Sequence, residues 1–127
     1  MKSLNSFLNP KRKPNLKFKL EAFEEEFEMR LLSAQEDTEI SKQIAGGGET
    51  GVDIMTRYVA ESLVVPDLHS KELLDALSER EGRKVLDVAD ALKCLVNGAE
   101  LSKLITIYND FANVTVDFGK EVNDIKN

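Results

Sequence analysis

The sequence predicts a mainly α, α+β fold: an N-terminal β-hairpin followed by four to five short packed helices, with flexible termini. Three observations predict it. Leu16 to Ala22 alternate strictly between apolar and charged residues, the period of a half-buried strand, and Phe27, Met29 and Leu31 repeat that period. Two segments open on capping boxes, Ser33 with Glu36 and Asn97 with Glu100. Between Tyr58 and Phe111, apolar residues recur at spacings of three and four, broken by a corner at Pro66.

A chain of 127 residues, 42% apolar and 31% charged, is long enough for one modest core. The reading is a basic arm over 1–15, a single domain over 16–112 and a weakly ordered tail over 113–127. Pro10 and Pro14, with Lys11, Arg12 and Lys13 between them, predict an extended, mobile arm. The alternating runs then pair as an antiparallel hairpin, Lys17 and Lys19 facing the Glu-rich second strand. A helix from Glu21 onward is the alternative, because the turn lacks an Asn-Gly signature.

Ser33 opens a largely polar helix to about Ile44, which Gly46, Gly47 and Gly48 end as a hinge. Its only core candidates are Ile40 and Ile44, so it is expected to sit loosely on the domain or to complete its burial against a partner. Thr50 caps the next helix, which carries Ile54, Met55, Tyr58, Val59 and Leu63 and stops at Pro66. A short helix from Ser70 presents Leu73, Leu74 and Leu77. Ile40, Ile44, Leu73 and Leu77 are the candidate partner-binding residues. After the charged break from Ser78 to Gly82, a helix from about Lys84 carries Val85, Val88, Ala89, Leu92, Leu95 and Val96. A last one carries Leu101, Leu104, Ile105, Tyr108 and Phe111, and the two are expected to form an antiparallel or angled pair.

The residues argue against catalysis. One histidine, His69, and one cysteine, Cys94, give neither a nucleophilic triad nor a zinc set, and three consecutive glutamates, Glu24 to Glu26, point apart. Glu36 to Glu39 lack the alternation of a calcium loop, and the triple glycine lacks the lysine of a phosphate loop. No cofactor or metal is expected, and the reading is a binding protein, not an enzyme. A single cysteine and the absence of a long apolar run point to a reducing cytoplasm without membrane attachment.

Charge is unevenly spread. The first twenty residues carry six cations and no acid, whereas the other 107 carry 11 basic and 23 acidic residues, a net −12 within an overall −6. An acidic body repels phosphate, so nucleic acid is disfavoured as a partner; the arm alone would have to provide such contact.

Taken in order, the strand with Phe27, Met29, Arg30 and Leu31, the Ser33–Glu36 cap, the helix ending Ser62 to Leu68 through Pro66, Glu72 to Leu74, and the Gly98 to Leu101 helix start resemble the XkdN-like tail assembly chaperones of long-tailed bacteriophages and prophages. The resemblance covers roughly residues 16 to 112. It implies a non-catalytic helical protein of the host cytoplasm, absent from the mature virion, that binds the tape-measure protein and tail-tube subunits, with a homo-oligomer possible. It also implies a second, frameshifted length, for which Ile125, Lys126 and Asn127 permit a slippery codon run. The triple glycine, the Ser78 to Lys84 break and the tail depart from the family pattern. Two other readings are a small DNA-binding regulator using the arm and a virion head–tail completion protein.

Overall fold

A computed structural model describes residues 4–45 and 51–118. The elements run α1 (Leu4–Leu8), β1 (Leu16–Phe18), β2 (Phe27–Met29), α2 (Ala34–Ile44), α3 (Gly51–Ser62), β3 (Leu63–Val65), α4 (Lys71–Glu81), α5 (Val88–Leu95) and α6 (Gly98–Phe111). This is the expected α+β architecture, with one strand more. The triple glycine, the Thr50 cap and the residues from 119 onward lie outside the described residues.

The hairpin forms as the alternation predicts. Leu16 pairs with Met29, Lys17 with Glu28 and Phe18 with Phe27, so the opposed charges share the outer face. Lys19 falls in the connecting loop. Phe27 and Met29 point inward, and Phe27 anchors the sheet by stacking on Phe18 at 5.6 Å and meeting Phe23 edge-on at 5.1 Å.

The third strand is the main addition. α3 stops at Ser62, and Leu63–Val65 pairs antiparallel with β2, giving the order β1-β2-β3. A register irregularity lies between Glu28 and Met29, after which the Arg30 N–H donates to the Ser62 carbonyl. Pro66, joined to Val65 by a cis peptide bond, ends the strand instead of the helix. The β-branched Val64 and Val65 favour extended backbone here, and the free edge of β2 offers them hydrogen bonds.

Two helix boundaries also move. α4 runs through Ser78 and Arg80 to a left-handed Gly82 (φ 71°), whose N–H reaches the Ser78 and Glu79 carbonyls. α5 begins only at Val88, because the Val85 N–H is taken by the Ser78 hydroxyl at 2.8 Å, which holds residues 83–87 as a loop with Val85 fully buried. Both capping boxes form as read.

α3 is the hub. It packs against α2, α5 and α6, while α4 packs on α5. α5 and α6, joined through Asn97, both pack on α3 and contribute Val88, Ala91, Leu92, Leu104 and Phe111 to one core. The core joins Met29, Val59, Leu68, Val85, Leu92 and Leu104, all essentially without solvent exposure.

Candidate partner-binding surface

Ile40 and Leu77 do not form a surface. They are 4% and 3% exposed, Leu77 within the main core and Ile40 beneath α2. Ile44 and Leu73 are half-buried, Leu73 leaning on the core. The four candidates thus divide between interior and flank, and the expectation that α2 is loosely held is corrected. α2 needs few apolar residues because polar contacts hold it. The Tyr58 hydroxyl donates to Asp37 Oδ1 at 2.7 Å and lies 3.0 Å from Ser41 Oγ. Arg30 grips Glu36 with two hydrogen bonds, 2.8 and 2.6 Å, and reaches the Glu61 carbonyl as well.

This junction gathers several more polar contacts. Glu36 also closes its cap on the Ser33 N–H at 2.9 Å, and the Glu61 carboxylate meets His69 Nε2 at 3.1 Å. Bonding to Arg30 first, and to the Ser33 backbone second, holds the Glu36 carboxyl down at about 2. Because that lies below its ordinary 4.5, Glu36 stabilises the fold fully above about pH 4.5, and the contribution drains away as pH falls toward 2. With the side chain 41% exposed, solvent screening limits the effect to about 1 kcal/mol. Urea midpoints at pH 6 and pH 3 should therefore fall less in Glu36→Gln than in the parent chain; equal falls would locate the acid sensitivity elsewhere.

Other ion pairs join elements of the fold. Arg57–Asp87, Arg83–Asp90 and Lys93–Asp53 tie α3 and the Gly82 loop to α5. Burial, reinforced by Asp90 and Glu81, raises the Cys94 thiol, which keeps it protonated and a poor nucleophile. His69 is turned to Glu61, with its backbone N–H on Asp67. Among the described residues no group of three or more histidine, cysteine, aspartate or glutamate side chains is placed to hold a metal ion.

Apart from Val65 and Leu86, the exposed large apolar side chains among the described residues lie on the arm and tail. Leu4, Phe7 and Leu8 of α1 are 61%, 75% and 66% exposed, and no residue of α1 is buried. Residues 4–8 are thus helical, not extended, since both prolines come after them. Their signal was the i, i+3, i+4 spacing of Leu4, Phe7 and Leu8. Past α6, Val114, Val116 and Phe118 are exposed in turn. Lys13 links the two ends. Its ammonium donates to the Phe111 and Asn113 carbonyls, 2.9 Å each, and lies 5.9 Å from the Phe111 ring centre. α6 has no basic residue in its last turn, so Lys13 supplies the cation that its C-terminus favours.

A shallow, open depression of about 510 Å³ lies between the hairpin loop and the start of α6, lined by Leu20, Glu21, Ala22, Ala99, Glu100 and Lys103. Compared with family models, curated proteins and solved structures, the chain matches none. Among the described residues, no helix is long and apolar enough to cross a membrane.

Proposed function

We propose that this chain is a phage tail assembly chaperone that holds the tape-measure protein, and through it the tail-tube subunits, in the host cytoplasm without entering the virion. The observation that carries the reading is the convergence of the resembling residues. Arg30 after β2, the Ser33–Glu36 cap, the end of α3 and the strand leading to Pro66 meet at the one polar junction described above. Part of the resembling pattern is thus gathered at one place, while Glu72 to Leu74 and the Gly98 to Leu101 helix start lie on α4 and α6. Past the end of α6, the exposed Val114, Val116 and Phe118 give apolar contacts to a client stripe, and the acidic body keeps such a complex in solution.

Co-expression with the tape-measure and tail-tube proteins of the same genome tests this. A soluble complex with tape measure is expected, and Val114→Asp with Val116→Asp should weaken it at least about tenfold, or 1.4 kcal/mol. Failure to retain either phage protein would overturn the reading. Retention of duplex DNA at physiological salt, lost when Lys11 and Arg12 are neutralised, would favour the regulator instead, because those two cations form no ion pair among the described residues.

A further inference from the structure

We infer that α1 is a docking helix for a second copy of this chain, and that its receptor is the depression between the hairpin loop and the start of α6. The two surfaces match in chemistry. α1 presents Leu4, Phe7 and Leu8 on one helical face, all exposed, followed by Lys11 and Arg12. The depression is lined by the buried Leu20, the exposed Glu21, Ala22 and Ala99, and the half-buried Glu100, whose carboxylate closes the cap on the Asn97 N–H. Glu24, Glu25 and Glu26 follow on the same loop and line the neighbouring depression beside β2. One cation, Lys103, also lines the first depression. Among the described residues, neither Lys11 and Arg12 nor Glu21 and Glu24 to Glu26 form an ion pair within the chain. Charges of opposite sign therefore stand ready on the two surfaces.

Geometry favours a second copy over the chain's own groove. Lys13 pins the root of the arm to the C-terminal end of α6, at Phe111 and Asn113. Ala99 is at the other end of that helix, twelve residues and roughly 18 Å away at 1.5 Å per residue. In the structure the arm does not fill the chain's own depression: Leu4, Phe7 and Leu8 all stay exposed, with the root of the arm held at the far end of α6. A neighbouring copy can present its groove beside a relaxed arm. Exchange of both arms about a two-fold axis makes the contact self-complementary and doubles the surface buried. The inference is independent of the chaperone reading, since it concerns the chain alone.

Sedimentation equilibrium of the intact chain, across micromolar to millimolar concentrations, tests it. A reversible dimer that weakens with added salt is expected. Phe7→Asp on the arm and Ala99→Arg in the groove should each raise the dissociation constant at least about tenfold. Both positions are exposed, so circular dichroism should be unchanged. Mixing the two variants should restore a heterodimer, because the groove of the Phe7→Asp chain is intact and so is the arm of the Ala99→Arg chain. A monomer at every concentration would overturn the inference, as would a dimer indifferent to both substitutions or a mixture with no heterodimer. A monomer that instead sediments with anionic phosphatidylserine vesicles through Phe7 would give α1 to a lipid surface and overturn it as well.

Discussion

Phe27→Ala should destabilise the domain by about 3–5 kcal/mol, the range for truncating a buried phenylalanine. Phe27 is 3% exposed, yet its neighbours make the case beyond burial. It stacks on Phe18 directly across the hairpin and receives the edge of Phe23 from the connecting loop. Removing the ring thus takes away the lining of a cavity and two aromatic contacts worth about 0.5–1.5 kcal/mol each. β1 is only three residues long and has a single partner strand, so it has little else to hold it. Hydrogen exchange at the hairpin amides should therefore accelerate more than at those of α5, which packs on α3. Denaturant unfolding gives the global figure. A loss below about 1 kcal/mol, the scale of surface substitutions, would contradict the assignment of the aromatic cluster as the sheet's anchor.

The hairpin was legible because a period of two survives in a very short strand: Leu16, Phe18, Phe27 and Met29 face inward and Lys17 faces Glu28. The caps were legible because Ser33, Glu36, Asn97 and Glu100 act through contacts three residues apart. Features that depend on distant partners were not. Leu63 to Val65 reads as a helix end until β2 supplies an edge for it, and Lys84 to Asp87 reads as helix until the Ser78 hydroxyl takes the Val85 N–H. The candidate surface suffered in the same way. α2 is apolar-poor and so looked loosely held, but its anchors are Tyr58 and Arg30, polar side chains whose partners lie 21 and 6 residues away. Ile40 is buried as a consequence, and most of the exposed large apolar residues, Val65 and Leu86 aside, fall on segments read as tails.

Leu104→Ala should cost about 2–5 kcal/mol, placed by how far its surroundings collapse into the void. Leu104 is wholly buried on α6, where Leu101, Ile105, Ile107 and Tyr108 also pack on the core within about one turn of it and Phe111 joins the core two turns on. Tyr108 is turned toward Tyr58, with ring centres 6.4 Å apart, and Tyr58 in turn holds Asp37 of α2. These contacts tie α2, α3 and α6 together around the void, which limits relaxation and favours the upper half of the range. For a domain of this size, each kcal/mol lowers Tm by roughly 4 °C, so calorimetry should show a drop of roughly 10 °C or more. Leu86→Ala is the control: Leu86 is 74% exposed, and its truncation should stay within about 0.5 kcal/mol. The stripe on α6 has two possible roles, core or client surface, and this pair separates them. A near-neutral Leu104→Ala that lost binding to a tape-measure partner would make the stripe a client surface; the complete burial of Leu104 predicts lost stability instead.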